Sequence, residues 1–234
     1  MKGTVQKQQG PTGQTLLDFP TGEKPTLANY VGEAGDILGK YLRQEDEVYR
    51  FIYIWGQPSS GKTHLIQAAC QYFIEAGLAT ANYKAGAVAA GSLMVSPADL
   101  VCVDDIDQLA GEARGEEALF DLVNDADTHA YRLLVSGTQP PARTEWALRD
   151  LATRMIRALP LETSCLNDTE KLQLLGVRAR RRGLSLSEEA GRYILSRNNR
   201  ELGQLLNALD KLDRESLIAQ RMLTIPFIKK TLRI

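Results

Sequence analysis

The apolar positions of this chain change rhythm twice. Residues from Met1 to about Pro25 are rich in Gln, Gly, Thr, Lys and Pro and have little apolar surface to bury, which predicts a solvated tail broken only by the island Gln14-Thr15-Leu16-Leu17-Asp18-Phe19. From about Leu27 to Leu161, short β-rich apolar runs alternate with stretches of helical spacing. Strands are predicted near Phe51–Trp55, Thr80–Ala85, Leu100–Asp104, Arg132–Ser136 and Ala158–Leu161, with helices near Gly35–Gln44, Lys62–Gly77, Glu116–His129 and Thr144–Ala152. Alternation of this kind makes a parallel sheet flanked by helices. After Leu161 only helical periods remain: Thr169–Arg182, Glu188–Ser196, Arg200–Leu212, and a short pair around Leu217–Met222 and Phe227–Leu232. Asn167 or Asp168 and Ser187 are the N-cap candidates, and Leu202, Leu205, Leu206, Leu209 and Leu212 form one apolar stripe. The pattern therefore divides the chain into a tail over 1–25, an α/β domain over 26–163 and a small α-helical domain over 164–234.

The first predicted strand runs directly into Gly56-Gln57-Pro58-Ser59-Ser60-Gly61-Lys62-Thr63, which fills every fixed position of the Walker A pattern G-x-x-x-x-G-K-[ST]. Glycines at Gly56 and Gly61 let the backbone N–H groups of Ser59, Ser60 and their neighbours turn around an anionic oxygen. Lys62 supplies a charge for the β/γ phosphates, and the Thr63 hydroxyl suits a Mg²⁺ ion at the start of the helix that continues through His64. A strand before and a helix after are the context this motif needs, and they predict a site for a nucleoside phosphate, ADP or ATP. The run Leu100-Val101-Cys102-Val103-Asp104-Asp105 reads as a buried parallel strand ending in two carboxylates, a Walker B strand. Asp104 is the candidate metal ligand, and Asp105 the candidate for polarising a water against the γ-phosphate. At the end of the next strand, Ser136 or Thr138 is placed to touch the γ-phosphate or that water, or else belongs to an ordinary strand-end turn.

Charge and cysteine usage narrow the setting. A net charge of −1 gives no overall drive toward nucleic acid, so a DNA contact has to come from a local patch or through a partner. The 3 cysteines and 2 histidines show no metal-ligand spacing, which points to a reducing cytosol and no metal beyond Mg²⁺. No apolar run approaches membrane-spanning length, and the polar N-terminus lacks the hydrophobic stretch of a secretion signal. Cytoplasmic residence is the expectation. Arg154 falls between the last predicted helix and strand of the α/β domain, where an arginine can serve a neighbour's nucleotide or simply be solvated. Arg200 opens a helix of the second domain, from which a guanidinium can reach back to phosphates. The cluster Arg178, Arg180, Arg181 and Arg182 reads as the basic end of a helix complementing its dipole, in preference to a DNA patch.

Taken together, Lys62-Thr63-His64-Leu65, Val103-Asp104-Asp105-Ile106, Ser136-Gly137-Thr138-Gln139-Pro140-Pro141, Asp150-Leu151-Ala152-Thr153-Arg154 and Arg200-Glu201-Leu202 resemble the AAA+ module of the bacterial replication initiator DnaA over about Leu27 to Leu212. The likeness is greatest to the DnaA-related Hda family, whose C-terminal segment is similar to Leu223-Thr224-Ile225-Pro226-Phe227-Ile228-Lys229. The resemblance implies a P-loop αβα sandwich with an α-helical lid, Thr138 as sensor 1, Arg154 as an arginine finger and Arg200 as sensor 2. DnaA carries an acidic residue where Thr138 stands, which implies weak ATP hydrolysis by this chain itself. Tyr30 and Val31, entering the core, are placed as neighbours of the base.

Two further expectations depend on that resemblance. A DnaA-like initiator continues into a helix-turn-helix domain, whereas this sequence ends at Ile234 and leaves no room for one. Gln14, Leu17 and Phe19 fit Q-x-x-L-x-F, similar to motifs that dock proteins on the bacterial sliding clamp, so the clamp, and DNA indirectly through it, join DnaA as expected partners. AAA+ modules pair head to tail, which leaves a homodimer open. The function implied is negative regulation of replication initiation by stimulating hydrolysis of DnaA-bound ATP. The alternatives are a helicase- or clamp-loader ATPase working by its own turnover, and a sequence-specific DNA-binding regulator, disfavoured by the near-zero charge.

Overall fold

The structure, a computed structural model, describes residues 24–43, 50–91, 98–198, 201–219 and 223–234. The parallel sheet expected from the sequence is present, built from β1 (Phe51–Gly56), β2 (Thr80–Lys84), β3 (Leu100–Asp104), β4 (Arg132–Gly137) and β5 (Leu159–Thr163). Their order is β2-β3-β4-β1-β5, all neighbours parallel. Around them lie α1 (Glu33–Arg43), α2 (Lys62–Glu75), α3 (Ala85–Ala89), α4 (Ala113–His129) and α5 (Arg149–Arg157). A second helical group follows: α6 (Asp168–Arg181), α7 (Glu188–Arg197), α8 (Leu202–Ala219) and α9 (Ile225–Leu232).

Strand side chains alternate between faces, and the two faces carry different cores. Ile52, Ile54, Leu100, Cys102 and Leu134 pack with Leu38, Leu65, Ile66 and Phe73 of α1 and α2. Tyr53, Val101, Val103, Leu133 and Val135 pack with Leu119, Leu122, Val123, Leu151 and Met155 of α4 and α5. This is an αβα sandwich. β3 is buried along its whole length, which is why its sequence reads as a continuous apolar run with no alternation. The thiols of Cys70 and Cys102 touch at 3.5 Å inside the first core, and burial pushes the Cys102 thiol up, so both behave as small apolar groups. The second helical group has its own core, in which Leu175 and Ala179 of α6 and Ile194 of α7 meet Leu205, Leu209 and Leu212 of the predicted stripe. Asn167 and Ser187 are the observed N-caps, accepting from Glu170 N and Ala190 N.

Three elements differ from the sequence expectation. The helix expected over Thr144–Ala152 begins only at Arg149, because the N–H groups of Ala147 and Leu148 bond to the Glu116 carboxylate and hold the preceding segment out of the helix. Arg154 therefore sits within α5 and not between helix and strand. Leu217–Ala219, the described part of the segment predicted over Leu217–Met222, is the end of one long α8. The run Ala85–Ala89, partly assigned to β2, forms the short α3. Among the described residues, no helix is long and apolar enough to cross a membrane.

Candidate functional site

The chain leaves β1 and turns through residues 56–61 into α2. Two glycines permit this turn. A Cβ on Gly56 would lie 2.3 Å from both the carbonyl oxygen and Oγ1 of Thr163, so the loop presses on the end of β5 at a distance only a hydrogen allows. Gly61, at φ +93°, precedes α2, and a Cβ there would meet the Tyr30 ring at 2.8 Å. Ser59 is also left-handed, at φ 63°. Ser60 is buried with Oγ 2.6 Å from Thr163 Oγ1, which donates to Trp55 O at 3.1 Å. Lys62 is only 6% exposed, and its Nζ donates to Gly56 O at 2.8 Å and Gln57 O at 3.1 Å, fixing the ammonium over the loop. A helix N-terminus and a held ammonium converge here, the combination that binds phosphate.

The strand order brings the acidic motif to this loop. β4 lies between β1 and β3, so the ends of three strands share one edge of the sheet. Thr63 Oγ1 donates to Asp104 Oδ2 at 2.8 Å. Ser136, fully buried, donates from Oγ to the other oxygen, Asp104 Oδ1, and accepts the Asp105 N–H at 3.0 Å. Asp105 adopts a left-handed conformation, φ 62°, that starts a 3-10 turn over Ile106–Leu109. Lys84, at the end of β2, donates to Asp104 Oδ2 and lies 3.4 Å from Asp105 Oδ2. Partial burial works against the Lys84 charge, but the hydrogen bonds and charges of Asp104 and Asp105 outweigh it and raise its pKa. The contacting hydroxyl of Thr63 and carboxylate of Asp104 are the protein oxygens that hold Mg²⁺ in P-loop proteins, so this donor set fits the ion.

Of the two strand-end positions left open by the sequence, Ser136 contacts Asp104, whereas Thr138 Oγ1 donates to Asp107 Oδ2 at 2.6 Å. Tyr30 closes the loop from the other side. Its hydroxyl donates to Ser60 O at 3.2 Å, its ring lies 5.7 Å from that of His64, and burial pushes its pKa up to about 12. His64 Nε2 is 3.3 Å from Thr26 O; burial lowers its pKa, the Thr26 contact opposes this, and the Arg178 charge adds to the lowering. Val31 is exposed beside this segment. The Pro58 carbonyl is 3.6 Å from Cys165 Sγ. Arg154 Nη1 donates to Asp127 Oδ2 at 3.0 Å on the protein surface, with 34% of its side chain exposed. Gln14, Leu17, Phe19 and Arg200 lie outside the described residues.

One basic-cluster expectation is corrected. Arg178 is 5% exposed, and its Nη2 reaches from α6 to Asn29 O at 3.4 Å. Arg182 pairs with Asp210 of α8. Only Arg180 and Arg181 are exposed, as the helix-end reading required. Sequence reasoning also missed Lys84 and Glu116. The Glu116 carboxylate is buried and accepts the N–H groups of Gly111 at 2.7 Å, Ala147 at 3.0 Å and Leu148 at 2.7 Å, fixing the loop that leads into α5.

Residues 168–232, α6 to α9, match the family described as Hda, lid domain. Among solved structures, domain III of the Thermotoga maritima replication initiation protein DnaA superposes with a TM-score of 0.72 and 18% identity, covering 92% of this chain and 98% of that one. AMPPCP-bound DnaA from Aquifex aeolicus gives a TM-score of 0.70 and 21% identity over 85% of this chain and 67% of that chain. The Thermotoga maritima RuvB Holliday junction branch migration motor gives 0.64 and 16%, over 89% and 71%. At these identities the structures show a shared fold. The likeness to Hda is thus confined to the lid over residues 168–232, and the chain as a whole shares the fold of the DnaA domain.

Proposed function

We propose that this chain regulates replication initiation: it binds ADP, or ATP with Mg²⁺, in its own P-loop and presents Arg154 to ATP held by DnaA, which then hydrolyses it. The observation that carries this reading is an Hda-type lid following a DnaA-like sandwich whose Walker A threonine already contacts its Walker B aspartate. Phosphoryl transfer requires little covalent chemistry from protein, so a guanidinium aimed at the developing charge can be supplied by a second molecule. Arg154 suits that task. It is partly exposed on α5, and its partner Asp127 is itself 69% exposed, a surface pair worth at most about 1 kcal/mol and readily exchanged for a phosphate. The tail residues Gln14, Leu17 and Phe19 dock the chain on the DNA-loaded sliding clamp, bringing it to DnaA on DNA.

Within the chain itself, Lys62 and the α2 N-terminus hold the phosphates, Thr63 and Asp104 hold the metal ion, and Ser136 orients Asp104. Mg²⁺, when bound, neutralises phosphate charge. The deciding experiment compares the parent with Arg154→Ala for melting temperature, ADP affinity and stimulation of DnaA-bound ATP hydrolysis in the presence of DNA-loaded clamp. Loss of stimulation by roughly a thousandfold, with melting and ADP affinity unchanged, is the expected outcome. Undiminished stimulation refutes the trans role. Rapid ATP turnover by the chain alone would favour the loader-ATPase reading.

A further inference from the structure

Two carboxylates end β3 side by side, and one ammonium reaches both. In the parallel register Lys84 stands opposite Asp104, so its four-carbon stem spans a single strand spacing. Nζ donates to Asp104 Oδ2 and lies 3.4 Å from Asp105 Oδ2. The same Oδ2 accepts from Thr63 Oγ1 at 2.8 Å, and Thr63 with Asp104 is the pair that fits Mg²⁺. The other oxygen, Oδ1, is taken by Ser136. A divalent ion and the Lys84 ammonium therefore compete for one oxygen.

We propose that Lys84 is a built-in cation of the nucleotide site, which neutralises the Asp104–Asp105 pair in place of a metal ion and lets ADP bind without one. The inference rests on the nucleotide-site reading above and adds to it a charge balance. Asp104 and Asp105 contribute two negative charges, Lys62 and Lys84 two positive ones, and the sum is zero. Without Lys84 the site carries a net charge of −1, and a diphosphate approaching it is repelled unless a divalent ion intervenes. ADP carries less negative charge than a triphosphate and so needs less neutralisation by a divalent ion. It has correspondingly less to gain from displacing the ammonium. The same contact disfavours self-hydrolysis, since Asp104 Oδ2, which with Thr63 would hold a metal ion, is already taken by Lys84. A purely structural staple between β2 and β3 is the competing explanation. The Lys84 side chain is 59% exposed, so such a staple would add little to stability.

The test is calorimetric titration of ADP into the full chain, once with excess Mg²⁺ and once with EDTA, for the parent, Lys84→Met and Lys84→Arg. Met keeps the stem and removes only the charge; Arg keeps the charge. Parent and Lys84→Arg should change affinity by less than about threefold between the two conditions, whereas Lys84→Met should lose at least about tenfold in EDTA and recover with Mg²⁺. The inference is overturned if the parent itself loses tenfold in EDTA, or if Lys84→Met responds to metal as the parent does. A parent that binds no ADP in either condition overturns the nucleotide-site reading and this inference with it, and the two failures are thereby distinct.

Discussion

Replacing Glu116 by Gln keeps the shape of a buried side chain and removes its charge, and the structure sets the cost. Oε1 accepts from Gly111 N and Ala147 N, and Oε2 from Leu148 N. A glutamine oxygen can take the Oε1 position and retain two of the three bonds, but its amide nitrogen then faces the Leu148 N–H, donor against donor. One charge-assisted bond is lost and one N–H is left unpaired, each worth about 1–3 kcal/mol; a net destabilisation of about 3 kcal/mol follows. Glu116→Ala strands all three donors and should cost about 5 kcal/mol. Urea unfolding at neutral pH measures both. Acid titration adds an independent signature. Burial pushes the Glu116 carboxyl up, but the three backbone N–H groups overcome it and hold its pKa below 4.5. Its stabilisation is therefore complete above the unfolded-state value near 4.5 and is lost as the pH falls through the lower folded-state value. Glu116→Gln should lack that component. A Gln variant within about 0.5 kcal/mol of the parent would refute the assignment of Glu116 as the anchor of the loop before α5.

Ser136→Ala removes the hydroxyl between Asp104 and the Asp105 N–H, and should cost about 2 kcal/mol in urea unfolding; a loss below about 0.5 kcal/mol would show that the Asp104 carboxylate is held without it. His64 has a folded-state pKa lowered from 6.5 by burial, so its contribution is complete above 6.5 and declines as the pH falls from there through the folded-state value. Parent stability should accordingly fall on acidification below 6.5, and His64→Gln should flatten that slope in melts run across this range; an unchanged slope would assign it to another group.

β1, β3 and β4 were legible as short apolar runs bounded by motif or turn residues, β2 by its alternation, and the P-loop because its chemistry is local in sequence. The Asp104 junction was not, since it depends on strand order. Only with β4 between β1 and β3 does Ser136 meet Asp104, and only with β2 beside β3 does Lys84 do so. No single-sequence period encodes that order. Glu116 did leave a signal. It occupies one stripe with Leu119, Val123 and Ala126, all buried, and a carboxylate on an apolar helical face has to find partners. Arg178 left the same signal, three and four residues beyond the buried Leu175 and Leu174, and grouping it with its exposed neighbours concealed it.

Arg178 also ties the lid to the segment that packs on the loop over residues 56–61. The segment from Thr26 to Tyr30 is gripped at three points: Arg178 donates to Asn29 O, His64 contacts Thr26 O, and the Tyr30 hydroxyl bonds Ser60 O. The first grip comes from α6 of the lid, the second from α2, and the third from the loop itself. Tyr30 can lie this close to the loop only because Gly61 has no Cβ, which would meet the ring at 2.8 Å. The 3-10 turn over Leu27–Asn29 that leads to Tyr30 thus lies between α6 and the loop. The lid's hydrogen bond at Asn29 O and the loop's hydrogen bond from the Tyr30 hydroxyl fall on adjacent residues, so one short segment is held from both sides.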